Sequence, residues 1–84
     1  MMTPSENNPV TVMLAEIIRL QEAAPFQPFV IVTSSGKTYE IPTPDHLTIT
    51  RRLRRISIEY DDYSGVDLSP LHVTAVEVRP PASA

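Results

Sequence analysis

Residues 25–41 read PFQPFVIVTSSGKTYEI, and this stretch decides the fold because it contains the pattern of a complete β-hairpin. Residues 29–32 form a continuous apolar run rich in β-branched side chains, which is typical of a buried strand. Gly36 lies in the turn that follows, where a residue tolerant of positive φ is needed. Residues 37–41 then alternate between polar and apolar. The stretch therefore predicts two antiparallel strands.

Upstream of this hairpin, residues 9–23 have the spacing of an amphipathic helix. Asn8 suits the capping position and Pro9 the first helical position, where its missing N–H costs nothing. Pro25 ends the helix. Residues 1–8 are polar, and we expect them to be disordered. The predicted apolar stripe recurs every three or four positions and consists of Val10, Met13, Leu14, Ile17, Ile18 and Leu20.

Downstream of the hairpin, the apolar positions change phase. Leu47 and Ile49 are odd-numbered, whereas Ile56 and Ile58 are even-numbered. Because the strand repeat is two residues, this change requires a turn or a bulge between residues 50 and 56. Further strand patterns follow over residues 66–68 and 73–78, separated by the tight turn Ser69-Pro70-Leu71-His72.

This order of one helix and then short strands predicts a mainly β fold with one N-terminal α-helix. We expect a small, open, five-stranded barrel of the Sm-like or SH3-like type over residues 9–79, followed by a tail over residues 80–84. The predicted core consists of Leu14, Ile17, Phe29, Ile31, Ile49, Ile58 and Val76.

The composition limits the protein to a few classes. A chain of 84 residues has room for one small domain, and a large enclosed active site is not expected. The chain has no cysteine, so disulfides, thiolate nucleophiles and cysteine-built zinc sites are excluded. It also has no apolar run of the roughly 20 residues that span a bilayer. We therefore expect a cytoplasmic protein that does not bind membranes.

Two segments of the chain resemble a family of short bacterial proteins to which no activity is assigned. The first is Pro25-Phe26-Gln27-Pro28-Phe29-Val30-Ile31 with the glycine turn and the Ile41–Pro44 segment after it. The second is Leu71-His72-Val73-Thr74-Ala75-Val76-Glu77. The family pattern begins with PFxPF and ends with LxHVTxIE.

A remoter resemblance is to the Sm-like fold, which includes the bacterial RNA chaperone Hfq. That resemblance implies a bent five-stranded barrel with a 3₁₀ turn before the last strand, at residues 69–72 here. It also implies rings in which the fourth strand of one subunit pairs with the fifth strand of the next, and RNA as a ligand. Of the glycine, aspartate and asparagine in the Sm pattern, only Asp45 is present.

The most concentrated charge in the chain is a group of arginines between the third and fourth predicted strands. Although the net charge is −3, four of the seven basic residues lie within five positions: Arg51, Arg52, Arg54 and Arg55. Guanidinium groups on a hairpin turn can bind phosphates, and Tyr60 or Tyr63 could offer a stacking face, so RNA is one candidate partner. The alternative is a solvated turn that favours solubility and protects against aggregation.

Candidate catalytic and metal-binding groups are few. The two histidines, His46 and His72, stand in turns with no cysteine or second histidine at metal-ligand spacing. The acidic stretch over residues 59–67 does not match a calcium loop. We therefore predict no catalytic residue, no metal site, no cofactor and no enzyme activity.

Self-assembly is the leading functional prediction. A small core and a last strand that is apolar on both faces favour pairing with another strand. We predict a non-enzymatic interaction module that assembles with itself through strand pairing into a ring or a filament. The alternatives are an Sm-like RNA-binding protein and an accessory subunit that docks on a larger complex. The predicted interface sets Ile56, Ile58 and Tyr60 of the fourth strand against Val73, Val76 and Val78 of the last.

Overall fold

The structure is a computed structural model that describes residues 9–50, 52 and 54–79. The predictions for residues 1–8, Arg51 and residues 80–84 lie outside the described residues. Within these ranges, one helix, α1 (Pro9–Glu22), precedes six strands. These are β1 (Phe29–Thr33), β2 (Thr38–Ile41), β3 (Leu47–Thr50), β4 (Arg55–Glu59), β5 (Gly65–Leu68) and β6 (Val73–Val78). The first 3₁₀ turn (Pro44–His46) precedes β3, and the second 3₁₀ turn (Pro70–His72) precedes β6.

The described strands form two separate three-stranded antiparallel sheets, with the orders β2-β1-β6 and β3-β4-β5. The prediction of a five-stranded barrel is therefore wrong, although the mainly β content with an N-terminal helix is confirmed. The physical reason lies in the two crossings between the sheets. Pro42 and Pro44 cannot donate to a ladder, so a 3₁₀ turn separates β2 from β3, and the second 3₁₀ turn separates β5 from β6.

The two sheets and the helix nevertheless share one core. The phase change predicted between residues 50 and 56 is present, since Leu47 lies opposite Ile58 and Ile49 opposite Ile56. Two of the predicted core residues, Ile49 and Val76, are only partly buried. The buried cluster consists of Val10, Leu14, Ile17, Leu20, Phe29, Ile31, Ile41, Leu47, Ile56, Ile58 and Val73.

A side chain from α1 fixes the crossing between the sheets. The Gln21 amide nitrogen donates to the carbonyl oxygen of Pro44 at 3.1 Å and to that of Leu47 at 2.6 Å. These two carbonyls bracket the first 3₁₀ turn, and the hydrogen bonds are partly buried. Gln21 therefore ties the helix to the point where the chain leaves one sheet and enters the other.

Candidate functional site

The outer strand β6 is the first candidate for an interaction surface. Within the part of the chain that the structure describes, β6 pairs only with β1, so one side of its backbone has no ladder partner. Its side chains are apolar on both faces, with Val76 on the core face and Ala75 on the outer face. Val78 is 45% exposed, whereas most large hydrophobic side chains among the described residues are less exposed. An outer strand with this pattern is a template for pairing with another strand.

The hydrogen-bond phase of β6 shows which of its backbone groups face outward. The Arg79 N–H donates to the carbonyl of Pro28 at 2.9 Å, and Glu77 lies opposite Val30 two residues further along. Because bonded pairs alternate along an antiparallel ladder, Glu77 turns its N–H and C=O toward β1. Val76 and Val78 therefore direct their backbone N–H and C=O groups toward the unpaired edge of β6.

In the second sheet, β5 is one of the two outer strands. The Tyr60 N–H donates to the carbonyl of Ser64 at 2.8 Å, and Val66 lies opposite Ile58. By the same alternation, Val66 and Leu68 bond to β4, whereas Gly65 and Asp67 direct their backbone groups outward. Asp67 also accepts a hydrogen bond from the Ser57 hydroxyl at 2.7 Å.

The fourth strand, which the sequence analysis assigned to the interface, is an inner strand. β4 lies between β3 and β5, and Ile56 and Ile58 are both 0% exposed. Tyr60 follows β4 and packs against the core, partly buried, with its ring 6.3 Å from that of His46. The backbone of β4 is paired on both sides within its own sheet, and its apolar side chains lie in the core. The outer strands of this sheet are β3 and β5.

The surface of α1 extends the apolar character of the β6 edge. A groove of about 540 Å³ runs between the helix and β6, bordered by Val12, Met13 and Val76. Val12 is 56% exposed. A second groove, of about 580 Å³, lies along the next face of the helix, where Ala15 and Ile18 approach Arg54. The helix therefore leaves the apolar surface beside β6 accessible to solvent.

The arginine turn keeps its charges available to solvent. Arg52, Arg54 and Arg55 are exposed, and in the described part of the chain no carboxylate pairs with any of them. Arg54 has a φ of 52°, which accomplishes the reversal between β3 and β4, and Arg55 is the first residue of β4. Tyr60 and Tyr63 lie beyond the opposite end of β4. The expected stacking face beside the arginines is therefore absent within the described chain.

A hydroxyl, an imidazole and a carboxylate form a chain of contacts that the sequence analysis missed. The Thr43 hydroxyl lies 2.7 Å from Nδ1 of His46, and Nε2 of His46 lies 3.2 Å from a carboxylate oxygen of Asp61. The carboxylate is 98% exposed, whereas the imidazole is mostly buried. The contacts join the first 3₁₀ turn to the loop after β4. Only the fold could reveal the contact with Asp61, because 15 residues separate it from His46.

The loop between β4 and β5 is ordered by its own polar groups. The Ser64 hydroxyl and backbone N–H both donate to the Asp62 carboxylate, and they lower the pKa of that carboxyl. Tyr63 has a φ of 67° and a fully exposed ring, and its N–H donates to the carbonyl of Tyr60. Burial raises the pKa of the Tyr60 phenol. The Asp62 carboxylate therefore stabilises the turn between β4 and β5 by accepting these hydrogen bonds.

The described residues also bear on metal sites, on the second histidine and on membrane spans. Among the described residues, no three histidine, aspartate or glutamate side chains converge as metal ligands. His72 is exposed, and its backbone bonds to Ser34 and Ser69. No helix within the described ranges is long and apolar enough to cross a bilayer. Comparison with family models, with curated proteins and with solved structures gave no match. The resemblances noted from the sequence therefore stay predictions.

Proposed function

We propose that this protein is a cytoplasmic, non-enzymatic interaction module that associates with itself through strand pairing. The observation that supports the proposal is the open edge of β6, where Val76 and Val78 direct backbone groups outward and Val78 exposes an apolar side chain. Pairing would satisfy the backbone groups and remove apolar surface from water together.

The size of the domain adds to this argument. A single core of this size commonly contributes only about 3–5 kcal/mol of stability, and association is one way in which small domains gain more. The apolar groove beside β6, bordered by Val12 and Met13, would be shielded by the same association. A contact of this kind is the main-chain mode of recognition called β-augmentation.

The proposal is tested by the mass of the protein in solution and by one proline substitution. Light scattering on the wild type at micromolar concentration should give a mass above the 9.4 kDa of a monomer. Val78→Pro removes an outward N–H while sparing the bonds to β1, so it should yield a folded monomer. Val78→Ala keeps the N–H and serves as the matched control, which should retain most of the association. A wild-type monomer would overturn the proposal and favour an accessory subunit that docks through α1.

A second candidate function is RNA binding at the arginine turn. Arg52, Arg54 and Arg55 are exposed with no carboxylate partner in the described chain, so their charges are free to meet phosphates. Fluorescence anisotropy with a labelled single-stranded RNA should then show binding that weakens as salt rises. Replacing Arg54 and Arg55 by glutamine should abolish it. Arg19→Gln is the control, because Arg19 is already paired with Glu16.

A further inference from the structure

We infer that a second copy of this chain covers both the edge of β6 and the groove between β6 and α1, with a two-fold axis between the two Val76 residues. This inference rests on the proposed self-association and names the partner surface and the register. The two sheets that contain β6 would join as one six-stranded sheet, in the order β2-β1-β6-β6-β1-β2. Both copies of α1 would then lie on the same face of that sheet.

Val76 is the residue at which the open edge and the apolar groove meet. Its backbone groups face the unpaired edge of β6, and its side chain borders the groove of about 540 Å³ together with Val12 and Met13. A partner that supplied only a strand would bond the edge and leave this groove in water. A second copy supplies its own β6 to the edge and its own α1 to the groove, so one contact removes both surfaces from water.

The hydrogen-bond phase argues against β5 as the antiparallel partner of β6. Bonded residues of an antiparallel ladder lie opposite each other on the same face of the sheet. The outward-directed residues of β6, Val76 and Val78, lie on the core face, whereas those of β5, Gly65 and Asp67, lie on the outer face. A parallel contact would match the faces, but parallel ladders are slightly less stable per residue and β5 has only four residues.

The outer strand β2 fails for the same reason as β5. Val30 bonds to Glu77 of β6, so its backbone groups turn away from β2. Its neighbour on the other side, Glu40, therefore directs its backbone groups outward. The Glu40 side chain is exposed on the outer face, because the adjacent Tyr39 and Ile41 pack in the core. β2 thus offers outer-face residues to a partner, whereas β6 offers core-face residues.

The remaining outer strand, β3, matches β6 in phase but already has a partner along its edge. Ile58 bonds to Val66 of β5, so Leu47, its neighbour in β3, directs its backbone groups outward from the core face. The Leu47 carbonyl accepts a hydrogen bond from the Gln21 amide at 2.6 Å. A side chain of α1 therefore lies where a strand would have to pair.

Two copies of β6 match each other in phase and in face. Val76 lies opposite Ile31 and Val78 opposite Phe29, so both outward-directed valines lie on the core face in each copy. The same patch serves both partners, as a two-fold interface requires, and two-fold dimers are the commonest oligomers. Among the outer strands in the described chain, β6 is therefore the best antiparallel partner for β6.

The backbone sets the position of the axis. An axis at Val76 sets residues 73–79 of each copy against the same residues of the other, which uses all of β6. The pairing stops before Pro80 and Pro81, which have no N–H to donate. Val76 of each copy then exchanges two backbone hydrogen bonds with Val76 of the other. The bulge opposite Thr33 lies toward the end of this overlap, outside its central residues 75–77.

The neighbouring registers are poorer. An axis at Glu77 shortens the overlap to residues 75–79 and sets two carboxylates directly opposite each other, which is unfavourable. An axis at Ala75 brings residues 71 and 72 of the second 3₁₀ turn against β6. An axis beyond Glu77 sets β6 against prolines. The register at Val76 avoids all three problems, because it places Glu77 opposite Ala75.

The charges beside the groove also permit a second copy to approach. Glu16 and Arg19 border the groove and are paired with each other at 2.6 Å. Each copy therefore presents one charge of each sign at this border, already neutralised. Two such borders can meet without the cost of like charges placed together.

A pair of cysteine variants tests the register, since the chain has no native cysteine. Ala75 and Glu77 of the other copy form a non-bonded pair, whose Cα atoms lie about 4.5 Å apart, within the range of a disulfide. Under mild oxidation, a mixture of Ala75→Cys with Glu77→Cys should give a disulfide-linked heterodimer, while neither variant alone should link. Self-linkage of Glu77→Cys would place the axis at Glu77, and self-linkage of Ala75→Cys would place it at Ala75. Either result, or no linkage in the mixture, would overturn the inferred register.

A substitution in the groove separates this inference from the proposed function. Val12→Lys puts a charge on an exposed helix position at the border of the groove, and it should raise the Kd of the dimer about tenfold or more. Tyr63→Lys is the matched control, because it also replaces an exposed apolar side chain by a lysine, in the loop after β4. It should leave the Kd within about twofold.

Analytical ultracentrifugation measures both Kd values, and circular dichroism confirms that each variant is folded. If the wild type is an oligomer and Val12→Lys leaves its Kd unchanged, self-association stands and the inferred role of the groove is wrong. An equal loss in Tyr63→Lys would show an effect of net charge and would also overturn the inference. A monomeric wild type overturns the inference and the proposed function together.

Discussion

Strands β4 and β6 have similar apolar patterns but very different environments. β4 has a strand on either side, and Ile56 and Ile58 are inaccessible to solvent. β6 has one neighbour in the described chain, and Val76 and Val78 remain partly or largely exposed. The comparison shows that burial in a small β protein depends on where a strand lies in its sheet as much as on its residues. The same apolar pattern builds a core in one strand and leaves an open edge in the other.

The largest difference between the two strands should appear in their alanine variants. Ile58→Ala removes a fully buried side chain and should lower the free energy of unfolding by about 3 kcal/mol through lost burial and the cavity left behind. Val76→Ala, on the same kind of face but partly exposed, should cost about 1 kcal/mol or less in the monomer. Urea unfolding monitored by circular dichroism measures both. Equal losses would mean that β4 and β6 do not differ as described.

Much of this contrast could be predicted from the sequence, and the part that could not be predicted has a physical cause. The alternation of apolar residues predicted the helix, the strand segments and the phase change between Ile49 and Ile56, because periodicity is a local property. Which strand lies at an edge depends on pairing between distant segments. That pairing is not local, so the sequence did not show that Ile56 and Ile58 lie on an inner strand.

The features of the candidate site likewise fall into those that the sequence predicted and those that it did not. The exposed arginines and the apolar last strand were predicted, since composition and alternation show them directly. The Gln21 hydrogen bonds to the crossing and the contact of His46 with Asp61 were not, because residues far apart in the chain meet only after folding. The barrel was wrong because no ladder joins β2 to β3 or β5 to β6 in the described chain, and Pro42 and Pro44 cannot donate at the first of these crossings.

The crossing between the two sheets should show the next largest effect. Gln21→Ala leaves the partly buried carbonyls of Pro44 and Leu47 without their donor, and it should cost about 2 kcal/mol. Glu22→Ala is the matched control on the neighbouring, exposed residue, and it should change stability by less than about 0.5 kcal/mol. Thermal unfolding of both variants decides the matter. A loss for Glu22→Ala as large as that for Gln21→Ala would argue for a general effect on the helix.

The attachment of β5 to β4 should be sensitive to one methyl group. A Cβ on Gly65 would lie 2.8 Å from the backbone oxygen of Ile58, so Gly65→Ala must push the two strands apart locally. We expect a loss of about 1–2 kcal/mol with amide shifts concentrated in β5. Gly36→Ala also costs about 1 kcal/mol, through its φ of +88°, but meets no nearby atom and should leave β5 unshifted. Unchanged β5 amide shifts in Gly65→Ala would contradict the pairing.

The smallest effect concerns the loop that links β4 to β5, and it is read from a titration. The Ser64 hydroxyl and N–H lower the pKa of Asp62 in the folded state. A lowered folded pKa means that the stabilisation is complete above the ordinary value of 3.8 and is lost as the pH falls through the folded value. Ser64→Ala removes the largest cause and keeps the N–H, so the pKa of Asp62 should rise toward 3.8 and stay below it. The pKa of Glu16, which Arg19 lowers, should not move when both are followed by NMR titration of the carboxyl carbons. An unchanged Asp62 pKa would show that the loop does not hold Ser64 against the carboxylate.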